Sequence, residues 1–435
     1  MMTLTAMPKY ETYKNSGSEF SGLIPSDWQL LPIRAIFDER NEKNIGPKTD
    51  FILSVTRDRG VIPYDEKGAI GNNKSEDIQR YKIVHPNDLV INKMNIVIGS
   101  LGLSKYHGAL SQVYIVLKPK NSRFNIRYYS YLFSDSTFYK SMIKYCTGIM
   151  ELRESLDKNH FKKINLPYPS EAEQTAIANF LDTKTAQIDE AIAIKEQQIA
   201  LLNERKQILI QQAVTQGLDP TVPMKDSGVE WIGKIPEHWE VIRFKNLFSQ
   251  SRLSVRKDDG VVTSYRDGQV TLRSNRRLEG YTEAIIEGGY QGIRKGQLVL
   301  NSMDAFEGAI GVSESDGKCT PEYVICDPIR AGVSQYYFAY LLREMALAKY
   351  ILVICNAVRQ RAVRIRYNNL SSRFMVLPPK NEQEAIVTFI ESEKTKINEG
   401  VEHLQLQIEK LKEYKTTLIN SAVTGKIKVV SYTGP

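Results

Sequence analysis

Four cysteines in 435 residues, Cys146, Cys319, Cys326 and Cys355, form no C-x-x-C pair. That count is too low for a disulfide framework and the spacing too wide for a cysteine zinc site, so a reducing cytoplasm is the expected setting. Histidine is equally sparse: His85, His107, His160, His238 and His403 make no H-E-x-x-H or other metal spacing. No run of about 18 apolar residues exists, and the first twenty residues lack the apolar stretch of an export signal, so neither a membrane span nor secretion is expected. Enzyme signatures are missing too. GVEWIGKI, Gly228 to Ile235, has phosphate-loop spacing, but Ile235 stands where a metal-binding Ser or Thr belongs, Pro236 follows, and no apolar strand precedes it. There is no Gly-rich cofactor loop and no N-P-P-aromatic motif of an amino-methyltransferase; a nuclease E-x-K pattern can only be forced from Asp88 and distant partners. The expectation is a non-catalytic chain binding no metal or cofactor of its own.

What is present is length, a basic excess and repetition. With 42% hydrophobic residues, 435 positions can fill more than one core. Lys and Arg number 58 against 50 Asp and Glu, a net charge of +8, which suits a polyanion such as nucleic acid.

GLIPSDWQL, from Gly22 to Leu30, returns as GKIPEHWEV, from Gly233 to Val241, an offset of 211. Phe37 pairs with Phe248 in that register. After a slip to 209, NDLVINKM (Asn87 to Met94) meets GQLVLNSM (Gly296 to Met303), Gly99 and Gly102 meet Gly308 and Gly311, Tyr114 meets Tyr323, and YYSYLF (Tyr128 to Phe133) meets YFAYLL (Tyr337 to Leu342). A register kept this far marks a duplicated module. Short β-type runs such as FILSVT, DLVINKM, VYIVLKP, QLVLNSM and YVICDP, separated by turn residues and followed by a helical stretch, predict an α+β module with a mainly antiparallel sheet.

Each half closes on a proline signal, NLPYP at Asn165 and VLPPK at Val376, and a long heptad pattern follows. In the first, Leu181, Ile188, Leu202 and Leu209 share a seven-residue series broken only by Lys195, with Ile192 and Ile199 beside it. In the second, Ile390, Ile397, Leu404, Leu411 and Leu418 run unbroken beside Val401 and Ile408. Both end alike, in AVTQG and AVTGK, with Gly217 and Gly425 as natural caps. A seam this narrow with charged flanks argues for coiled-coil packing. At 1.5 Å per residue the helices span roughly 65 to 70 Å, and each is the other's most suitable antiparallel partner, which gives the chain an approximate two-fold repeat.

Candidate nucleic-acid contacts cluster. Between Ile351 and Lys380 there is no acidic residue, while VRQRAVRIRYNN places Arg359, Arg361, Arg364 and Arg366 close together, alternate arginines of an extended segment lying on one face. SYRDGQVTLRSNRR offers Arg266, Gln269, Arg273, Asn275, Arg276 and Arg277, side chains able to pair with base edges. The first half has Arg57, Arg59, Lys74, Lys93, Asn95 and Arg153. The stretches YRDGQVTLRSNRR and VTRDRGVIPYDEKG read as unrelated.

Two copies of G-x-I-P-x-x-W, two α+β modules, two Leu-Pro boundaries followed by Glu173-Gln174 and Glu382-Gln383, and two heptad helices ending in A-V-T-x-G or A-V-T-G make a set that resembles the DNA-sequence specificity subunit of type I restriction-modification systems. The resemblance runs from about Gly22 to Gly425. It implies target recognition domains at 21–169 and 229–379, each reading half of a split asymmetric site. Conserved spacer helices would lie at 170–218 and 380–425, with an N-terminal segment 1–20, a linker 219–228 and a tail 426–435. The helices would set half-site spacing and dock two methyltransferase subunits, with restriction subunits joining that core. S-adenosylmethionine, ATP and Mg would belong to those partners. Two competing readings stay open on the residues alone: a coiled-coil scaffold whose modules bind protein, and a self-contained DNA-modifying enzyme.

Overall fold

The structure, a computed structural model, describes residues 7–46, 48–68, 74–75, 77–147, 155–276, 289–355 and 364–429. The chain packs as two compact units, Met1–Glu196 with Gln405–Pro435, and Gln197–Leu404. Each unit holds one α+β module, the first part of one long helix and the last part of the other. The long helices are Glu171–Gln216 and Lys380–Val423.

Both modules are built on the same four-stranded antiparallel sheet. In the first, the order is Phe37–Glu39, Tyr114–Pro119, Leu89–Asn92, Leu101–Leu103; in the second it is Phe248–Ser251, Tyr323–Pro328, Leu298–Asn301, Ile310–Val312. Register is kept as well, with Tyr114 opposite Asn92 and Tyr323 opposite Asn301. The central strands read as unbroken apolar runs because both faces are covered. In the second module, Val299 and Ile325 pack with Val262 and Val270 of a small hairpin. Leu298, Leu300, Val324 and Cys326 face the other way, in the cluster of Tyr337, Phe338 and Leu341 from helix Gln335–Leu347. That helix is capped by the Ser334 side chain, and its counterpart Ile126–Ser134 by Asn125. An N-cap of this kind is worth roughly 1 kcal/mol, because it satisfies amide donors the helix leaves unpaired.

The first proline stretch is itself a strand, and the second closes one, with Pro378 and Pro379 between the strand and the long helix. Asn165–Tyr168 pairs with Gln29–Pro32, and Phe374–Leu377 with Glu240–Arg243. A proline is tolerated in a two-stranded ribbon, where one side of the strand needs no donor. The repeat also reaches further back than its Gly22 match. Tyr13–Asn15 pairs with Leu23–Pro25, and Met224–Asp226 with Lys234–Pro236. YKNSGSEF and MKDSGVEW carry that earlier signal, Lys14, Ser16, Gly17 and Glu19 recurring as Lys225, Ser227, Gly228 and Glu230.

The motifs shared by the halves form one frame in each unit. Trp28 donates its indole N–H to Glu173 at 3.2 Å, and Trp239 donates to Glu382 at 2.9 Å. Fully buried Gln174 accepts from the Asn125 amide and donates to Pro169 O; fully buried Gln383 accepts from Ser334 and donates to Gly332 O and Pro378 O. The ends of the helices are gripped as well. Tyr128 donates its hydroxyl to Val423 O at 3.0 Å in the first unit, and Tyr337 to Val214 O at 2.8 Å in the second. Each grip satisfies a last-turn carbonyl that the helix cannot pair itself. Gly425 and Gly217 follow in left-handed geometry, and a Cβ there would meet Trp28 at 3.1 Å and Trp239 at 3.2 Å.

Within each unit the long helices run antiparallel. In the first, Lys415 bonds both oxygens of Asp189 at 2.7 Å while Lys195 reaches Gln407; in the second, Lys206 reaches Asn398 at 3.0 Å. Leu181, Ile188, Ile192, Ile408, Leu411 and Leu418 are buried in the first unit, as are Ile390 and Ile397 in the second. Ile199, Leu202, Leu209, Val401 and Leu404 are half-buried. The heptad break at Lys195 is thereby explained: its ammonium leaves the seam for the Gln407 amide. No helix among the described residues is long and apolar enough to cross a membrane.

Candidate nucleic-acid interface

Three segments converge at one end of the sheet in each module. The first is the loop after the second sheet strand in chain order, Lys93–Ile98 or Ser302–Glu307. It turns through a short 3-10 helix and a left-handed glycine, Gly99 or Gly308.

The second segment is a hairpin. Leu53–Thr56 pairs with Gly60–Pro63, and Val262–Ser264 with Val270–Leu272. Ile52 bridges Ala109 as Val261 bridges Lys318, so the hairpins are equivalent and Arg57-Asp58 falls on Arg266-Asp267. This corrects the impression that the two stretches are unrelated: they are one hairpin in one register, Leu53 opposite Pro63 as Val262 is opposite Leu272, with different side chains in the turn. The third segment carries Leu156 or Ile365, each buried, each donating its amide to the loop, at Lys93 O over 2.9 Å and Ser302 O over 3.2 Å.

The arginines and amides singled out in the second module sit on these segments. Arg266 pairs with Asp304 at 3.0 Å and with Glu307 on the neighbouring loop. The hydrogen bond to the Asp304 carboxylate, with its charge, raises the Arg266 pKa. Arg276 pairs with Asp267 at 2.7 Å and lies over the Tyr265 ring at 4.2 Å. Gln269 bonds Glu314, Arg273 reaches Thr263 and Asn275 reaches Thr271. Arg364 and Arg366 are exposed on either side of buried Ile365, the alternation expected of an extended segment. Arg277, Arg359 and Arg361 lie outside the described residues, as does Arg153.

In the first module, Arg57 and Arg59 occupy the hairpin turn, beside Asp58 at 3.9 Å and Glu66 respectively. Lys93 and Asn95 are on the loop, half-buried and exposed. Lys74 stands apart from the three segments, exposed and 6.0 Å from the Tyr64 ring. Ser155 and Asp157 take the places of Arg364 and Arg366. The same scaffold therefore presents a different charge pattern in each module.

Sequence reasoning missed the residues that hold this end in place. Arg343, on the helix Gln335–Leu347, runs under the hairpin turn and donates to Asp267 O. Burial lowers its pKa. Gly268 leaves the room: a Cβ there would lie 1.7 Å from the guanidinium. The carboxylates Asp304 and Glu307 were also missed, since nothing in sequence joins them to Arg266. Among the described residues, no three His, Cys, Asp or Glu side chains are placed to hold a metal ion.

Residues 25–204 match the family described as the type I restriction modification DNA specificity domain. A Methanocaldococcus jannaschii protein named as the MjaX type I restriction enzyme specificity subunit is 22% identical over 463 aligned positions, covering 99% of this chain and 100% of that one. Two solved chains share the fold. One, from work on complex assembly and conformational transition of a type I R-M system, aligns with a TM-score of 0.66 at 11% identity, over 92% of this chain and 98% of that one. The other, the HsdS subunit of Thermoanaerobacter tengcongensis, aligns with a TM-score of 0.53 at 13% identity, over 93% and 98%. The fold and the matched domain define a DNA-specificity protein. Residues 25–204 thus carry a type I restriction modification DNA specificity domain, and over nearly its whole length the chain is similar to a specificity subunit of such a system.

Proposed function

We propose that this chain is the DNA-reading subunit of a multisubunit adenine methyltransferase and ATP-dependent endonuclease, each module reading one half of a split asymmetric site. The observation that carries the reading is the repeated convergence of hairpin, loop and extended segment, identical in topology and different in side chains. Arg57, Arg59, Lys93 and Asn95 in one module, and Arg266, Gln269, Arg273, Asn275, Arg276, Arg364 and Arg366 in the other, are the proposed contacts; Arg153, Arg277, Arg359, Arg361 and Lys74 complete the set. The recognition domains take 21–169 and 229–379, and the helices 170–218 and 380–425 set half-site spacing. DNA exchanges with the internal carboxylates: phosphate or a base edge replaces Asp304, Glu307 or Asp267 at guanidinium groups already held in position. Two methyltransferase subunits dock on the helices, where Leu201 and Ile208, seven residues apart, are 56% and 44% exposed. Restriction subunits join that core, and S-adenosylmethionine, ATP and Mg reside in the partners.

Titration of the assembled complex against cognate and scrambled duplexes over a range of salt tests this. Affinity falling steeply with salt, with a cognate preference of at least about a thousandfold, is the expected result. Salt-independent or undetectable DNA binding overturns it in favour of a protein scaffold.

A further inference from the structure

The frames of the two units differ around the carboxylate that holds the tryptophan, where Tyr10 and Asp27 of the first correspond to Thr221 and His238 of the second. In the first unit the residues before the first strand turn back over the frame, and Tyr10 lies edge-on against Trp28, with ring centroids 5.8 Å apart. Its hydroxyl donates to Glu173 Oε1 at 2.9 Å, the same carboxylate that holds Trp28. The chain that follows the C-terminal helix closes over it, with Lys428 N bonded to Pro8 O at 2.7 Å and the Lys428 ammonium 5.7 Å from the Tyr10 ring.

The second unit repeats this backbone. Ser26 N bonds Thr12 O, and in the same register Glu237 N bonds Pro223 O, so Thr221 stands where Tyr10 stands in the first unit. Thr221 is exposed and turned to its own neighbour, its hydroxyl 2.6 Å from Asp219 Oδ1. Among the described residues no tyrosine reaches Glu382, which is bonded by His238 and Trp239 instead. A cavity of about 280 Å³ is found here, walled by Gly217, Leu218, Pro236, His238, Glu382 and Ile386. Pro236, Glu382 and Ile386 are the counterparts of Pro25, Glu173 and Ile177. Leu218 at its rim is 44% exposed. His238 bonds Glu382 Oε1 at 2.7 Å, and Trp239 holds Oε2. An apolar cavity of about 150 Å³ suffices to bind benzene, so this one has room for an aromatic ring.

We propose that this cavity is a socket for a tyrosine side chain presented by a methyltransferase subunit, taking the place that Tyr10 fills internally in the first unit. The proposal rests on the partner assignment made above. The ring would pack on Pro236, Leu218 and Ile386, and its hydroxyl would donate to Glu382, as Tyr10 donates to Glu173. A buried aromatic anchor in a preformed pocket is the kind of contact that dominates interface affinity. It would also make the two units unequal toward their partners, since one socket is self-filled and the other open.

The test uses the full chain and the methyltransferase subunit of the same system. In Thr221→Tyr the chain supplies its own ring, and the expected results are a thermal midpoint raised by about 2 °C or more and assembly weakened about tenfold or more. Leu218→Glu, which puts a carboxylate at the rim without refilling the cavity, should weaken assembly similarly. If Thr221→Tyr raises the midpoint yet assembles with wild-type affinity, the cavity is a solvent-filled cleft and the proposal fails. If Thr221→Tyr lowers the midpoint, the ring has not seated and Leu218→Glu decides: unchanged assembly overturns the proposal, and a tenfold loss upholds it. A wild-type chain that assembles with no methyltransferase subunit refutes the partner assignment instead, and is read before either variant.

Discussion

Gly268 occupies a backbone conformation, φ +92°, that side chains rarely adopt, and Arg343 fills the space a Cβ would need. Both constraints act on the turn that carries Arg266, Asp267 and Gln269. Gly268→Ala should therefore displace the turn from Arg343 as well as strain it, at a cost of about 1 to 3 kcal/mol. The expected outcome is weaker recognition of the half-site read by the second module, with the other half-site untouched. Methylation rates on duplexes altered in one half at a time check this; equal losses at both halves would mean general unfolding instead. At this scale the sequence was legible only where chemistry is local. The arginines stood out by composition, whereas their carboxylate partners did not, because Asp304 and Glu307 meet Arg266 only after the sheet has formed. The role of Glu173 and Glu382 as acceptors for tryptophan was hidden for the same reason: indole and carboxylate are brought together by the fold from opposite ends of a module.

Elements were more readable, since periodicity is a property of a stretch and not of a pair. The heptads located both helices, and burial of Leu181, Ile188, Leu411, Leu418, Ile390 and Ile397 follows their series. The hairpins do not stand out as a pair in the sequence, because their register is the same but only Arg-Asp and one valine, Val61 or Val270, recur. Helix Gln335–Leu347 carries a buried acid that no pattern announced. Glu344 is 7% exposed, accepts from Gln207 on the central long helix at 2.6 Å, and is pushed up to about 7 by burial, with the Gln207 bond and the Arg343 charge opposing that shift. Its folded pKa lies above its unfolded value, near 4.5. The protonated acid thus stabilises the fold fully below about pH 4.5, and that contribution is lost as pH rises through about 7. Glu344→Gln keeps the amide contact and removes the titration. It should flatten the fall in thermal midpoint between pH 4.5 and 7 and stabilise the chain at pH 8, by about 1 to 3 kcal/mol. A variant whose pH profile matches wild type would place the titration elsewhere.

At the scale of the whole molecule, the duplication separates what must be kept from what is free to change. Kept are the side chains that hold a module to the helices of its own unit: Trp239 on Glu382, Gln383 on Ser334 and Gly332, Tyr337 on Val214, and the matching set around Trp28, Gln174 and Tyr128. Free are the hairpin turn, the loop after the sheet strand and the arginine-bearing segment, which differ between modules without altering strand order. Exchanging residues 229–376 for the equivalent module of a relative should therefore change one half of the recognised site and leave the other half and the spacing alone, provided the graft retains a tryptophan and a tyrosine at the positions of Trp239 and Tyr337. Without that tyrosine, the Val214 carbonyl is buried with no donor, a loss of about 1 to 3 kcal/mol, and the end of the central helix is released together with the module. Mapping methylated adenines in cells that express the exchanged chain with its partner subunits reads both halves and the spacing in one experiment. A new sequence confined to one half supports independent readers; a change in both halves, or in spacing alone, counts against them and would mean that the helices, and not the modules, decide which bases are met.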